Sequence, residues 1–139
     1  MLLDDWRVLL AGRSGLHLRP GATPSRIDRA ETQLGACFPA QLRRLYEVSD
    51  GVFDQPGQWW VVWPVAEAVR RTESAWSDAG AGRRQLVSFG DDGTGATFCV
   101  PRDGGAGVFV WHPVEAAPLW LANDVSSFWE AWTAGTLTT

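Results

Sequence analysis

The sequence contains no lysine, so arginine supplies all twelve of its basic residues. The charges are unevenly distributed: residues 1–50 carry seven arginines and six acids, and residues 51–90 carry four of each. Residues 91–139 carry six acids against Arg102 alone, which gives this third a net charge of −5 within an overall −4. An acidic segment repels nucleic acid and attracts basic partners, although net charge can also serve solubility alone. We therefore expect a protein partner and no nucleic acid.

Cysteine is scarce, and long apolar runs are missing. Cys37 and Cys99 are the two cysteines, which is too few for a disulfide framework and suits the reduced interior of a cell. No apolar run approaches the roughly 18 residues that a membrane-spanning helix needs. Asp4 and Asp5 stand where a secretory signal peptide would carry positive charge. These absences predict a cytoplasmic protein that does not enter a membrane.

Candidate nucleophiles and bases are also few, and Cys99 with His112 is the one plausible pair. With a hairpin turn between their strands, Cys99 lies opposite residues 108–110, which places His112 roughly 7–13 Å away at about 3.3 Å per residue. That distance is too long for a hydrogen bond between nucleophile and base. Cys37 and His17 add no spacing typical of a zinc site. We therefore expect no catalytic residue, no metal and no cofactor.

The chain has 139 residues, enough for one domain with its own core and too few for two. We therefore expect a single domain over residues 1–139. Apolar residues at helical spacing predict five helices. The first spans residues 2–10, and the second is capped by Thr23, begins at Pro24 and ends at Gly35. The third begins at Pro39 and the fourth at Pro64. The last is capped by Asn123 or Asp124.

Strand composition is concentrated in the second half. The stretch "QWWVVWP" predicts a strand with Trp59 and Trp63 on one face and Trp60 on the other. Four short strands are predicted after it, at roughly 85–89, 96–100, 107–111 and 118–121. Helices followed by consecutive strands indicate an α+β fold, with one antiparallel β-sheet of about five to six strands and helices packed against it.

The glycine-rich loop in "SFGDDGTGATFCV" (88–100) raises the possibility of a phosphate or metal site. A phosphate-binding loop needs a lysine and leads into a helix, whereas this loop lacks lysine and leads into a strand. Adjacent aspartates in an extended chain point in opposite directions, so Asp91 and Asp92 offer few ligands to calcium. We interpret the loop as a turn between two strands that displays acidic side chains.

Five stretches in order resemble the SUKH superfamily, the Smi–Knr type of domain, over about residues 20–133. The first, "RIDRAETQLGACFPAQLRRLYEVSDGVF" (26–53), carries the landmarks Glu31, Leu34, Gly35, Pro39, Leu45, Asp50 and Gly51. The others are "WWVVWPVAEAV", "SFGDDGTGATFCV", "GVFVWHP" and "LWLANDVSSFWEAW".

The resemblance implies a SUKH-like fold and a function in binding. Members of this superfamily are best known as bacterial immunity proteins that neutralise polymorphic toxins, many of them nucleases or deaminases. Others are interaction modules, including a fungal regulator of cell-wall synthesis, and no enzymatic activity is characteristic. The resemblance thus implies an immunity protein that occludes a basic toxin domain encoded by a neighbouring gene. The alternative is a general interaction module that has no toxin partner. An enzyme is a more remote alternative.

Two kinds of side chain are candidates for contacting a partner. Strand residues such as Trp59 and Trp60 are apolar on both faces, so either helices cover both faces or a partner covers one of them. Tryptophans also anchor many protein interfaces. Asp91, Asp92 and Asp103 lie in turns of the acidic third, where they can attract a basic partner. The oligomeric state is not predicted.

Overall fold

The computed structural model describes residues 5–78, 83–115 and 117–137. In these ranges the chain forms five α-helices and seven β-strands. The helices are α1 (Trp6–Ala11), α2 (Pro24–Leu34), α3 (Ala40–Val48), α4 (Val65–Asp78) and α5 (Val125–Thr133). The strands are β1 (Leu16–Leu18), β2 (Val52–Asp54), β3 (Trp59–Val62), β4 (Leu86–Asp91), β5 (Thr97–Pro101), β6 (Val108–His112) and β7 (Ala117–Ala122), and a 3-10 turn (Arg83–Gln85) precedes β4.

The helix ends follow the capping signals of the sequence. Thr23 accepts a hydrogen bond from the Arg26 amide at 3.2 Å and precedes a proline in the first turn of α2. Gly35 ends that helix in the left-handed conformation with φ of 60°, which costs glycine little. Asp124 caps α5 by accepting from the Ser127 amide at 2.8 Å. These predicted boundaries are confirmed, whereas residues 2–4 of the first predicted helix lie outside the described ranges.

The α+β fold class is confirmed, but the prediction of one sheet with about five to six strands is wrong. The strands form two antiparallel sheets, one in the order β1-β2-β3 and the other in the order β4-β5-β6-β7. The four predicted strands of the second half pair in sequence, as expected. The short strands β1 and β2 were missed because their pairing, Leu18 opposite Val52, joins distant parts of the chain. No local periodicity signals such a contact.

The two sheets meet where β3 passes the edge of β4. Gly90 lies so close to β3 that a Cβ atom on it would stand 1.8 Å from the Val61 carbonyl oxygen. Beside this contact, the Trp63 amide donates to the Phe89 carbonyl at 2.8 Å. The Thr72 hydroxyl on α4 accepts from the Ser88 amide at 3.0 Å and donates to the Ser88 carbonyl at 3.2 Å. The outer edge of β4 is therefore occupied by other parts of the fold and protected from strand pairing.

Two buried polar side chains, Asp50 and Tyr46, connect the start of α4 to helices α2 and α3. Asp50 is 4% exposed, accepts from the Val65 amide at 2.7 Å, and lies 3.5 Å from the Arg26 guanidinium. Tyr46 donates its hydroxyl proton to the Trp63 carbonyl at 2.9 Å. Burial, with a smaller contribution from Asp50, raises the pKa of Tyr46 far above its ordinary value, so this phenol remains a donor throughout the physiological range.

We predict that Gly90→Ala strongly destabilises the protein. The added methyl group would overlap the Val61 carbonyl, and relieving that overlap must separate β3 from β4. Such overpacking costs about 1–3 kcal/mol or more, measurable as a reduced free energy of unfolding in urea. Gly12→Ala is the matched control, because Gly12 has φ of −70° and its nearest contact lies at 3.5 Å. Equal stabilities of the two variants would contradict the close contact of the sheets.

Candidate partner-binding surface

A cleft of about 460 Å3 opens where β2, β3 and the start of α4 come together. Four aromatic side chains line it, together with polar and charged groups at its rim. We call this site the tryptophan cleft; its lining residues are Arg19, Phe53, Gln58, Trp59, Trp60, Trp63, Pro64, Glu67, Arg71 and Asp91. It therefore brings together three of the five residues predicted to contact a partner.

Strand β3 forms the floor of the tryptophan cleft. One end of the strand is buried in the core, and the other end lines the cleft. Val61 and Val62 are fully buried in the core, whereas Trp59 and Trp60 are half-buried. Trp60 packs edge-to-face on Phe53 of the neighbouring strand, with ring centroids 5.1 Å apart. The Trp59 indole donates to the Asp91 carbonyl at 3.1 Å. Both tryptophans are thus held in place, and each remains half-buried where it lines the cleft.

Arginine side chains cover the faces of two tryptophan rings at the rim. The Arg71 guanidinium lies 4.8 Å from the ring centroid of Trp63, and Arg19 lies 5.9 Å from that of Trp60. Arginine over an indole face is held by a cation–π interaction and by stacking. The cleft therefore presents apolar rings between cationic and anionic groups, which suits a partner side chain with an apolar stem and a polar end.

The carboxylate of Asp91 is used inside the protein. One oxygen accepts from the Trp63 indole at 3.1 Å, and the other accepts from the Gly93 amide at 2.8 Å. Asp91 is half-buried, and it joins the β4–β5 turn to the wall of the tryptophan cleft. The sequence suggested an acid displayed for a partner, whereas the structure gives this carboxylate a positioning role. Contact between Asp91 and a partner stays a prediction.

The neighbouring Asp92 organises the turn itself. Its carboxylate accepts from the Thr94 amide at 2.8 Å and from the Thr94 hydroxyl at 2.7 Å. Gly93 and Gly95 take the left-handed conformation, with φ of 86° and 106°. The interpretation of this loop as a turn between strands is confirmed, since it joins the paired strands β4 and β5. Among the described residues, no group of three or more His, Cys, Asp or Glu side chains could hold a metal ion.

Asp103 lies away from the other predicted partner-binding residues. It is exposed in the β5–β6 hairpin, where its carboxylate accepts from the Gly105 amide at 2.9 Å. Successive hairpins of an antiparallel sheet lie at opposite ends, so Asp103 is at the other end of the sheet from Asp91 and Asp92. The structure thus places Trp59, Trp60 and Asp91 in one cleft, with Asp92 in the adjoining turn.

Two exposed apolar residues lie outside the five that were predicted to contact a partner. Trp120 is 59% exposed and Leu119 is 53% exposed, on opposite faces of the edge strand β7. Their signal was present, since this strand is apolar on both faces, but periodicity does not reveal which strand lies at an edge. Trp63 and Phe53 were likewise missed as cleft residues, because their convergence depends on the pairing of β2 with β3.

The geometry keeps Cys99 apart from His112. Cys99 lies opposite Phe109 in the β5–β6 pair, and His112 follows three residues later, about 10 Å along the strand. This agrees with the predicted separation. The Cys99 sulfur instead accepts from the Arg83 guanidinium at 3.3 Å. The thiol and imidazole therefore form no nucleophile–base pair.

The fold and the cleft define an α+β domain with two antiparallel sheets and an aromatic surface suited to binding. The model of the SMI1 / KNR4 family (SUKH-1) matches residues 21–131. The chain therefore belongs to the SMI1/KNR4 family, whose members are known generally as immunity proteins or as proteins of the Smi1/Knr4 type. The search of curated proteins finds no match. Within the described ranges, no helix is both long and apolar enough to cross a membrane.

We predict that Asp91→Asn destabilises the protein by about 1–3 kcal/mol. An asparagine oxygen can still accept from the Gly93 amide, but its amide group would then face the donating indole of Trp63. The free energy of unfolding and the tryptophan fluorescence should both change. Asp103→Asn is the control, because an asparagine oxygen can still accept the hydrogen bond that the Gly105 amide donates to Asp103. Unchanged stability of Asp91→Asn would contradict the positioning role.

Proposed function

We propose that this chain is an immunity protein that neutralises a polymorphic toxin by binding it directly. The observation that carries the proposal is the tryptophan cleft, which the half-buried Trp59 and Trp60 line next to the turn of Asp91 and Asp92. Membership of the SMI1/KNR4 family supports it. In this proposal the tryptophan cleft and the β4–β5 turn contact the toxin, and the bound chain occludes it.

The tryptophans have the properties expected of interface anchors. A tryptophan buries a large apolar area on binding, and its indole nitrogen can remain hydrogen-bonded. Trp59 already donates to the Asp91 carbonyl, and Trp60 is packed on Phe53. Because their positions are fixed before binding, little conformational entropy is lost when a partner covers them. A rigid aromatic surface of this kind supports tight association.

The charge of the chain supports a basic partner. The net charge is −4, and residues 91–139 hold six acids against one arginine. Acidic surfaces accelerate the encounter with a basic protein and suppress encounters with acidic ones. Nucleases and deaminases act on polyanions and commonly carry basic substrate clefts, so a toxin of either kind has suitable charge. Free thiols at Cys37 and Cys99 support a cytoplasmic setting.

The decisive experiment is co-expression with the toxin encoded by the neighbouring gene. Wild-type chain should restore growth of cells that produce the toxin, and the two purified proteins should form a complex. We predict that Trp60→Ala weakens the complex about 30-fold, as loss of an interface anchor costs about 2 kcal/mol. Asp92→Arg should slow association about tenfold, with a larger effect at low salt.

Trp120→Ala is the matched control for Trp60→Ala. It removes the same side chain from the exposed edge strand of the other sheet, and it should leave the affinity unchanged. Melting temperatures of all variants separate loss of binding from loss of folding. If Trp60→Ala binds as tightly as wild type while Trp120→Ala does not, the tryptophan cleft is rejected as the contact surface. If no neighbouring toxin exists or binds, the general interaction module replaces the immunity protein.

A further inference from the structure

A second cleft of about 490 Å3 adjoins the tryptophan cleft and shares Trp63 and Arg71 with it. We call it the arginine cleft. Its described lining contains three arginines and no acidic residue: Trp63, Arg70, Arg71, Ser74, Ala75, Arg83, Ser88 and Thr97. Three arginines around one cleft are unexpected in a chain whose net charge is −4. The local charge is therefore opposite to that of the whole molecule.

Arg83 is the buried cation of this cleft, only 6% exposed. Its guanidinium donates to the Ser88 hydroxyl at 2.9 Å, the Thr97 hydroxyl at 3.3 Å and the Cys99 sulfur at 3.3 Å. It also lies 5.0 Å from the ring centroid of Trp111. All of these partners are uncharged, and they engage three of the five N–H groups of the side chain.

The charge of Arg83 is not balanced by a carboxylate within the part of the chain that the structure describes. Removing a charge from water is costly unless an opposite charge compensates for it. Neutral acceptors and an aromatic face compensate in part. The Arg83 guanidinium is held against the sheet by these hydrogen bonds, has two N–H groups without a partner among the described residues, and lines an open cleft. It is therefore well placed to receive an anion.

The other two arginines share a single acid. Arg70 and Arg71 both donate to the carboxylate of Glu67. These hydrogen bonds, first from Arg70 and then from Arg71, lower the pKa of Glu67 to about 2, so the carboxylate is ionised at neutral pH. The three guanidinium groups of the lining outnumber the carboxylates in contact with lining residues, Glu67 and Asp91, so the cleft keeps a net positive charge. Arg70 and Arg71 are more exposed than Arg83, with 66% and 49% of their side chains accessible at the rim.

We propose that the arginine cleft binds a phosphoryl dianion. The net positive charge of the lining attracts a multiply charged anion, and planar guanidinium groups bind phosphoryl oxygens through paired hydrogen bonds. The hydroxyls of Ser88 and Thr97 hold Arg83 in place, so the deepest donor is positioned before the ligand arrives. The ligand is either a phosphorylated side chain of a partner protein or a small phosphate compound. This inference does not depend on toxin binding.

The first test is calorimetric titration of the purified chain with inorganic phosphate at constant ionic strength. We expect saturable binding of phosphate that sodium chloride does not reproduce. Arg83→Gln should weaken it at least about tenfold through loss of charge-assisted hydrogen bonds. Glu67→Gln should strengthen it, because Arg70 and Arg71 lose their competing carboxylate. Arg7→Gln is the control for charge, since Arg7 is exposed on α1, outside the residues that line the cleft.

Two further measurements complete the test. Should Arg83→Gln fail to fold, Arg70→Gln and Arg71→Gln at the exposed rim should each weaken phosphate binding several-fold in a folded protein. O-phosphoserine and adenosine monophosphate then distinguish the sources: tighter binding of phosphoserine indicates a modified side chain, and tighter binding of the nucleotide indicates a small phosphate compound. Phosphate binding no stronger than that of chloride, or equal binding by Arg83→Gln and Arg7→Gln, would overturn the proposal.

Discussion

The contact of Gly90 with the Val61 carbonyl is the constraint on which the rest of the structure depends. Backbones approach this closely only where no Cβ intervenes, and the approach brings the two sheets together without a ladder between them. It places the β4–β5 turn beside the aromatic end of β3, so that Asp91 reaches the Trp63 indole. It also sets α4 across the edge of β4, where Thr72 binds Ser88. Both clefts lie along this junction.

At four tryptophan rings, arginine has a structural role that lysine would not fill equally well. Four arginines lie over tryptophan rings: Arg19 over Trp60, Arg71 over Trp63, Arg83 over Trp111 and Arg102 over Trp76. A planar guanidinium stacks on an indole and still donates hydrogen bonds at its edge, whereas a lysine ammonium is compact and strongly hydrated. Arg102 illustrates this, since it donates to the Leu34 carbonyl at 3.0 Å while stacked on Trp76. Arginine thus packs against an aromatic ring and donates hydrogen bonds at the same time.

Features encoded by neighbouring residues could be predicted, and those that depend on distant contacts could not. The cap at Thr23 and the hairpins of β4 to β7 follow from local chemistry. The split into two sheets depends on β1 and β2, three residues each, whose partners lie far along the chain. Composition identified Trp59 and Trp60, but it could not show that Asp91 turns inward. Arg83 was missed because a charged side chain is ordinarily expected at the surface.

Hydrogen bonds to every polar group of Trp63 hold the wall between the two clefts in place. Its amide donates to Phe89, its carbonyl accepts from Tyr46, and its indole donates to Asp91. Arg71 covers the ring and is itself held by Glu67. Only 2% of Trp63 is exposed, so it shapes both clefts without presenting much surface of its own. Since Arg71 lines both clefts, any anion in the arginine cleft alters the charge at the rim of the tryptophan cleft, and one residue links the two surfaces electrostatically.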